Sequence, residues 1–592
     1  MGLALEGSPL DWKDSENASP LARRYAAKQI LALWMKQRHR HDSDSLWGDE
    51  IEFSLVDLDT KLSRATMLLD QERVIKSWEK RNIRQENHGL LQWEWASYVV
   101  ESTPVKPYSG CISDLIHVET NMRCRRELIE SFLGPHQHAL SLSMFPRAGT
   151  KDTWTTPSPP TEVLCTQPRY TTLAEKVKSR AGDRVKTWLP IYRDRLTKSP
   201  FVDGEANGHE RENRVCLDQL DMGLGCCSVQ TTFQTSNESE ARWLHDQLIP
   251  LGPIFIAMTA ATPAWKGYLV DSDCRWQRYG DLLDDRSPDE KDCIPPRWTW
   301  KQSYISAEQP SGLKSHKLLH PIDNDVRGCL TDGGMDAYLA DHFMSILTRD
   351  PLLLTEADLK NLDPPETQLF ESLYGCVWHP VRFKPPTSDR GPGWRVEFRP
   401  MEAQLTDFEN AAFAIFAYLV SRAITVLRLK FYIPVEKLGE AWAFCQERGA
   451  VIAGRFWFRK TGWLSESTQI DPDVIRILSQ HGYHYSGKEK YAQMTVNEIV
   501  NGEGTIDGFP GLLLMVRCYF EYVGVRRQEQ AQIAQYLNLI RDRAKGTNPT
   551  PATWMREFIG NHKDYGEDSY VSETVCYDMM RAIIQSNEKK TE

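Results

Sequence analysis

The chain has 592 residues, of which 41% are hydrophobic and 26% charged, and this composition is typical of a folded globular protein with a sizeable core. Its formal net charge of -10 argues against a nucleic-acid partner, because the counterion release that drives such binding requires clustered Lys and Arg. Thirteen cysteines without a pair of Cys-x-x-Cys motifs favour reduced thiols in a cytosolic protein over a disulfide framework.

The sequence contains no segment typical of secretion or membrane insertion. Residues 1–7 turn polar at once, without a basic stretch followed by a long apolar one, so we expect a cytoplasmic protein. The longest apolar run, residues 411–420, is far shorter than the ~20 residues that span a bilayer. This run therefore predicts a buried helix, and we expect no membrane partner.

Short alternating runs, such as residues 226–235 and 394–398, are mixed along the chain with helical patterns, such as residues 238–248 and 406–427. This mixture predicts the α+β class. Because there is no solenoid-like repeat and no low-complexity tract, we predict one catalytic domain over residues 1–592, with a helical C-terminal subregion over about 436–592.

The first acidic motif of interest lies in residues 47–53. Glu50 and Glu52 are two positions apart, with Ile51 and Phe53 at the alternate positions, so on a strand both acids share one face. The solvated side of an amphipathic edge strand is the commoner explanation of such a pair. The motif alone therefore does not establish a site.

Two further segments set charged residues among large apolar ones. In residues 93–104, Glu94 and Glu101 have opposite parity, so both can reach one site only across a bend or from separate elements. In residues 394–400, Arg395, Glu397 and Arg399 share one strand face, where ordinary salt bridges would also explain them.

Five glutamates in aromatic and β-branched surroundings would be costly to bury without compensating cations. Mg²⁺ prefers hard oxygen ligands and often shares them with nucleotide phosphates, and the guanidinium groups of Arg395 and Arg399 suit phosphate oxygens. Together these features favour phosphoryl transfer. Because the chain has neither a Walker-type Gly-x-x-x-x-Gly-Lys-Ser/Thr segment nor Gly-x-Gly-x-x-Gly, any ATP site must be of another design.

Over nearly its whole length the chain resembles the catalytic subunits of eukaryotic glutamate–cysteine ligases. The similar stretches include residues 47–52, 118–126, 225–234, 273–276 and 393–410. The resemblance implies a glutamine-synthetase-like saddle of antiparallel strands surrounded by helices. It also implies an ATP- and Mg²⁺-dependent ligase that phosphorylates the γ-carboxylate of glutamate and transfers the acyl group to cysteine or another amine, with a regulatory subunit as a possible partner.

The same resemblance assigns roles to individual residues. It implies that Mg²⁺ is held by six positions: Glu50, Glu52, Glu94, Glu101, Gln230 and Glu397. Arg275 would bind the α-carboxylate of glutamate, in a pocket that includes Cys226 and Gln230. Arg399 would face the transferred phosphate and act in catalysis with Glu52 and Glu397.

One segment departs from the family pattern. Residues 369–379 differ at five positions from the polar family sequence that precedes the Arg-Phe-Lys-Pro-Pro segment: Leu369, Ser372, Tyr374, Cys376 and Val377. A site that recognises its substrate by hydrogen bonds changes specificity when those partners change, so the amine acceptor need not be cysteine.

Three alternatives therefore stay open. The chain is an ordinary glutathione-pathway ligase, an amide-forming ligase of specialised metabolism that uses another acid and amine, or an inactive regulatory paralogue. The intact Glu50, Glu52, Arg275 and Arg399 argue against the inactive paralogue.

Overall fold

A computed structural model describes residues 7–81, 89–155, 163–182, 185–204, 206, 208–310, 313, 321–360, 362–464, 470–483, 490–502 and 508–588. Helices and antiparallel strands are both abundant over these ranges, which confirms the predicted α+β class. Within the same ranges, none of the helices has the length and apolarity required to cross a bilayer. Most of the N-terminal stretch on which the cytoplasmic expectation rests, residues 1–6, lies outside the described residues.

The strands belong to one large sheet and three small two-stranded sheets. In chain order they are β1 (Trp47–Asp59), β2 (Arg64–Met67), β3 (Leu90–Trp93), β4 (Val99–Thr103), β5 (Gln137–Leu140), β6 (Thr187–Pro190), β7 (Arg214–Leu217), β8 (Val229–Gln234), β9 (Ala264–Trp265), β10 (Tyr268–Leu269), β11 (Val381–Lys384), β12 (Arg395–Phe398), β13 (Phe456–Thr461) and β14 (Lys490–Met494).

The large sheet has the strand order β11-β12-β8-β1-β4-β3, and every pairing in it is antiparallel. Strand β1 also pairs with β2 and β5 through its C-terminal half. Its 13 residues therefore form the centre of the sheet and connect the acidic segments that are far apart in sequence.

The helices occupy most of the remaining described chain. They are α1 (Trp12–Gln37), α2 (Gln71–Arg81), α3 (Ile112–Leu115), α4 (Val118–Glu130), α5 (Pro168–Ala181), α6 (Asp221–Leu224), α7 (Glu238–Leu248), α8 (Gly252–Thr259), α9 (Trp276–Leu282), α10 (Pro288–Lys291), α11 (Asn324–Asp332), α12 (Ala337–Leu347), α13 (Gln368–Tyr374), α14 (Asp407–Val426), α15 (Val435–Phe444), α16 (Ala450–Ala453), α17 (Pro472–Gln480), α18 (Val496–Asn501), α19 (Leu512–Tyr522), α20 (Arg527–Lys545), α21 (Pro551–Gly560) and α22 (Glu573–Glu588).

Helix α14 is the central buried helix, and it contains the apolar run 411–420 for which a buried helix is predicted. Thr406 caps its N-terminus by accepting a hydrogen bond from the Glu409 N–H. The helix packs against β8 on one side and against α4, α7, α19 and α20 on others. The predicted C-terminal subregion is mainly helical, but it also contains the two-stranded antiparallel sheet of β13 and β14, which sequence analysis did not predict.

The pairing register divides the large sheet into an apolar face and a polar face. Side chains directly opposite each other on antiparallel strands lie on the same face. On one face Trp47 and Phe233 pack against Tyr418 of α14, with ring centroids 4.8 and 6.3 Å away. The other face carries Glu50 opposite Gln230 and Glu52 opposite Glu101. The predicted shared face of Glu50 and Glu52 is therefore the functional side of the sheet.

Candidate active site

Three glutamates converge on the polar face of the sheet. The carboxylate oxygens of Glu52, Glu94 and Glu101 lie within 4.8 Å of one another. Glu52 and Glu101 face each other across the β1–β4 pair, whereas Glu94 follows the end of β3. Of the two arrangements that their opposite parity allows, a bend or separate elements, the structure shows separate elements for Glu94 and Glu101.

The environment of these glutamates disfavours their charged forms. Burial, together with the charge of Glu52, raises the pKa of Glu94 to about 8. Burial and the charges of Glu50 and Glu94 raise the pKa of Glu101 well above its ordinary value. Burial also raises the pKa of Glu52, although the charge of Arg275 opposes this shift. A cation bound among the three carboxylates would remove much of this cost.

The polar atoms around the three carboxylates fit a hard metal ion. Ser228 orients Glu52, donating its N–H to Oε2 at 2.7 Å and its hydroxyl to Oε1 at 3.0 Å. Gln230 donates its Nε2 to Glu52 Oε1 at 3.3 Å. Its own Oε1 is buried and has no hydrogen-bond partner in the described part of the chain. An all-oxygen donor set with an unpaired buried carbonyl suits Mg²⁺.

Glu397 has the opposite environment. Lys384 Nζ lies 2.6 Å from its Oε1, while Arg399 Nη1 and Arg382 Nε lie 3.2 and 3.8 Å from its Oε2. Burial alone would raise the pKa of Glu397, but these cations hold it well below its usual range. The carboxylate is thus ion-paired to three cations and is not one of the three that converge. Its predicted role as a metal ligand stays a prediction.

A cavity of about 560 Å³ lies beside this cationic group. Its lining includes Trp47, Glu50, Thr232, Lys384 and Arg395. The guanidinium of Arg395 donates to two backbone carbonyls, with Nε 3.1 Å from the Gly393 oxygen and Nη2 3.3 Å from the Pro385 oxygen. Because Glu50 lines the cavity and its charge also acts on Glu101, it lies between the three converging carboxylates and the cavity. The cavity is large enough for a small-molecule ligand.

Arg275 is the residue before α9, and only 2% of its surface is exposed. Its backbone N–H donates to Glu402 Oε1 at 2.6 Å, and its Cζ lies 5.4 Å from the centroid of the Tyr279 ring. Its Nε is buried without a hydrogen-bond partner among the residues that the structure covers. This guanidinium is therefore available for a carboxylate ligand.

Cys226 packs close to Arg275 as a buried thiol. It is 2% exposed, and its Sγ lies 3.7 Å from the carbonyl oxygen of Met222. Burial raises the pKa of this thiol well above its ordinary value, although the charge of Arg275 opposes the shift. The uncharged thiol suits a pocket wall rather than a nucleophile, because the thiolate is the reactive form.

Comparison with known proteins decides the family. The sequence profile described as "Glutamate-cysteine ligase" matches residues 1–585. The chain belongs to the glutamate–cysteine ligase family. It is 36% identical to the glutamate–cysteine ligase catalytic subunit of Rattus norvegicus, over 98% of this chain and 94% of that protein. It is 34% identical to the glutamate–cysteine ligase of Neurospora crassa, over 100% of this chain and 92% of that protein.

The departures from the glutamate–cysteine ligase pattern fall into two groups. Leu369, Ser372 and Cys376 are buried, and the Ser372 hydroxyl donates to the Leu353 carbonyl at 2.7 Å. Helix α13, which contains the first two, packs against α1 and α12. These three positions therefore serve packing.

The other two departures contact a site residue. The ring centroid of Tyr374 lies 5.7 Å from Arg382 Cζ, and Arg382 Nη2 donates to the Val377 carbonyl at 2.8 Å. Because Arg382 neighbours Glu397, a change of the side chain at position 374 can reach the site through Arg382, whereas position 377 contacts Arg382 through its main-chain carbonyl.

Sequence analysis missed several residues of this glutamate–cysteine ligase site. Arg382 and Lys384 alternate on β11, and this spacing could have assigned them to the face of Glu397. Tyr279 lies four residues after Arg275, a helical spacing that could have paired the two side chains. Ser228 and Glu402 carry no comparable signal, because each becomes a neighbour of Glu52 or Arg275 only through the folded chain.

Proposed function

We propose that this chain is an ATP- and Mg²⁺-dependent ligase that joins the γ-carboxyl group of glutamate to cysteine or another amine. The observation that carries the proposal is the convergence of Glu52, Glu94 and Glu101 within 4.8 Å beside an ion-paired group of three cations. Phosphoryl transfer to a carboxylate brings two anions together, so it needs both metal and guanidinium charge.

The carboxylates of Glu52, Glu94 and Glu101 and the unpaired Oε1 of Gln230 would hold Mg²⁺. The metal would neutralise charge on the transferred phosphoryl group. Glu50 borders the neighbouring cavity and remains a proposed ligand of a metal shared with the nucleotide. Glu397 is proposed for the same role. Once the nucleotide binds, the three cations beside Glu397 would contact the phosphates in addition to its carboxylate.

ATP would occupy the cavity of about 560 Å³, with its phosphates directed towards Lys384, Arg382 and Arg399. Lys384 lines this cavity and also contacts Glu397, so it connects the nucleotide space to the reacting groups. The proposed arrangement is the funnel of a glutamine-synthetase-like saddle, for which the eight-stranded antiparallel sheet offers the framework.

Arg275 would bind the α-carboxylate of glutamate, with Cys226 as part of the pocket wall. An oxygen of the γ-carboxylate would attack the γ-phosphorus of ATP, and ADP would leave. The neutral amine nitrogen would then attack the acyl carbon, lose a proton, and expel inorganic phosphate. In the first step Arg399, whose Nε is buried without a hydrogen-bond partner among the described residues, would contact the transferred phosphoryl group.

The first experiment is ADP release with ATP, Mg²⁺ and glutamate, with cysteine as the first acceptor and a panel of amines after it, followed by mass analysis of the products. We expect a γ-glutamyl amide. Turnover with another amine but not with cysteine would assign the departures at positions 374 and 377 to acceptor choice. Absence of ADP release with every acid and amine would contradict the proposal and favour an inactive paralogue.

Two further proposals concern the cell. The rat, mouse and human relatives are named catalytic subunits, so we propose that this chain also binds a regulatory subunit. We propose a cytoplasmic location from the sequence. Tagged full-length protein, imaged in its host and isolated with its bound partners, tests both.

A further inference from the structure

The guanidinium of Arg275 lacks the anchor that buried arginines usually have. The side chain is almost fully buried, and its Nε has no hydrogen-bond partner in the described ranges of the chain. A buried guanidinium without bidentate partners loses much of its directional preference. Its direction must therefore be fixed through its backbone and through the ring packed near it.

Glu402 fixes the backbone. It follows β12 and is 1% exposed. Its Oε1 accepts the N–H of Arg275 at 2.6 Å, and its Oε2 accepts the N–H of Ala261 and the hydroxyl of Thr262, both at 2.8 Å. One carboxylate thus joins the start of α9 to the segment that follows α8.

Several other bonds hold the same junction together. The Thr262 N–H donates to the Asp273 carbonyl at 2.8 Å, and the Glu402 N–H donates to the Thr259 hydroxyl at 3.2 Å. Asp273 in turn accepts Arg556 Nε at 2.9 Å. The Arg275 backbone therefore belongs to a rigid unit: Glu402 accepts its N–H, and its carbonyl accepts the N–H groups of Arg278 and Tyr279.

We infer that Glu402 is a positioning residue that aims Arg275 at the carboxylate of the acid substrate. This inference rests on the proposed function and deepens it, because it explains how a side chain without its own anchor stays ready to bind. Glu402 touches neither substrate nor metal in this scheme. It acts through Arg275, whose backbone N–H it accepts and whose positive charge faces its carboxylate.

The carboxylate cannot be replaced by an amide of the same shape. Both oxygens of Glu402 face backbone N–H donors, from Arg275 and from Ala261. A glutamine would direct its own NH₂ at one of them, so one buried donor would lose its acceptor and the junction would shift. A misplacement of about 1 Å in a binding group costs up to about 10²-fold in activity.

Tyr279 supports the other end of Arg275. The Arg275 Cζ lies 5.4 Å from its ring centroid, within the range of a cation–π contact. The ring itself is fixed, because its hydroxyl donates to the Leu224 carbonyl at 3.2 Å and it stacks on Trp298 at 4.0 Å. The Tyr279 ring thus contributes separately from Glu402 to the orientation of the Arg275 side chain.

The test is a double-mutant cycle with Glu402→Gln and Arg275→Ala, read as KM for glutamate, KM for ATP and kcat. We expect Glu402→Gln alone to raise KM for glutamate about 10- to 100-fold and to leave KM for ATP within about 2-fold. In the Arg275→Ala background, Glu402→Gln should raise KM for glutamate by less than about a further 2-fold, because no guanidinium remains for Glu402 to orient.

Equal effects in both backgrounds, or equal rises in KM for glutamate and for ATP, would overturn the inference. Glu409→Gln is the matched control: Glu409, in the first turn of α14, accepts Arg543 Nη2 at 2.8 Å and does not contact Arg275, so this change should leave KM for glutamate unchanged. If Glu402→Gln does not fold, Glu402→Asp replaces it in the cycle, because the shorter side chain keeps the charge but withdraws its oxygens from the Arg275 N–H. Retention of normal KM for glutamate by Glu402→Asp would then overturn the inference.

Wild-type turnover separates this inference from the proposed function. If wild type uses no glutamate, the function proposed above fails, and the cycle is repeated with the acid that the enzyme does use. The increase in melting temperature on addition of that acid gives a readout that does not depend on turnover. Loss of this increase in Glu402→Gln, with the ATP-dependent increase retained, is the expected result.

Discussion

Two glutamate environments on one face of the sheet respond to burial in opposite ways. Around Glu94, burial and neighbouring carboxylates raise the pKa to about 8. Around Glu397, three cations hold the pKa well below its usual range despite burial. In the first environment the charges of Arg275 and Arg399 offset the burial of the carboxylates only in part, so this environment can attract a metal ion. The second contains its own positive charge and so can attract phosphate.

The difference shows why the chemical role of a glutamate does not follow from its sequence motif. Glu52 and Glu397 both alternate with apolar residues on β-strands. Glu52 meets other acids because β1 pairs with β4, whereas Glu397 meets Arg382 because β12 pairs with β11. Strand order therefore determines which glutamate needs an external cation.

Glu52→Gln should have the largest effect on activity, because this residue belongs to the acidic group and receives two hydrogen bonds from Ser228. We expect kcat to fall about 10³-fold, since a charge-stabilising group is lost from the reacting centre. ADP release and isothermal titration of Mg²⁺ would measure the change. Glu72→Gln, on the exposed side of α2, is the control, and equal activity of both variants would contradict the metal assignment.

Lys384→Met should weaken the cationic group with a smaller effect. Lys384 Nζ lies 2.6 Å from Glu397 and lines the cavity proposed for ATP. We expect KM for ATP to rise about 10-fold while the affinity for Mg²⁺ alone stays unchanged, because one charge-assisted contact is worth roughly 1.5–3 kcal/mol. Lys437→Met, which removes a surface ion pair with Glu440, is the control. A loss of Mg²⁺ affinity would show that the two environments are not separate.

The two environments should also give stability opposite pH dependence. The folded-state pKa of Glu94, about 8, exceeds its ordinary value of 4.5, so the folded protein binds this proton more tightly than the unfolded chain does. Its contribution to stability is full below about pH 4.5 and is lost as pH rises towards 8. Each pH unit crossed costs at most about 1.4 kcal/mol for one such group.

We therefore expect the melting temperature of the Mg²⁺-free protein to fall between pH 5 and pH 8, and Mg²⁺ to restore it most strongly at pH 8. Glu94→Gln should flatten this part of the profile, because the amide does not titrate. Glu397 contributes in the other direction: its lowered pKa adds stability above about pH 4.5 that disappears in acid. A profile that Glu94→Gln leaves unchanged would contradict the role given to burial.

Much of the site could be predicted from the sequence where the signal is local. The alternation around Glu50 and Glu52 predicts their shared face, which the structure confirms. The opposite parity of Glu94 and Glu101 predicts a bend or separate elements, and the structure shows separate elements. The buried helix at residues 411–420 follows from its length and apolarity.

The remaining features depend on contacts between distant segments. No local pattern indicates that Arg382 would ion-pair with Glu397 or that Glu402 would accept the N–H of Arg275. The pairing of β13 with β14 across the intervening α17 has no local signal either. Local patterns specify which face a side chain takes, but strand order and loop packing specify its neighbours.

The smallest effects are expected from substitutions at the positions of residues 369–377 that depart from the family sequence. They should distinguish residues that only pack in the core from residues that contact Arg382. Ser372→Ala removes the 2.7 Å hydrogen bond to the Leu353 carbonyl and should cost about 1 kcal/mol of stability, with KM for the acceptor amine unchanged. Tyr374→Leu removes the aromatic ring 5.7 Å from Arg382 and should change KM for the acceptor a few-fold. Denaturant unfolding and initial rates with cysteine measure both. A changed acceptor KM in Ser372→Ala would mean that α13 reaches the site by a route other than Arg382, and the whole segment would then belong to acceptor recognition.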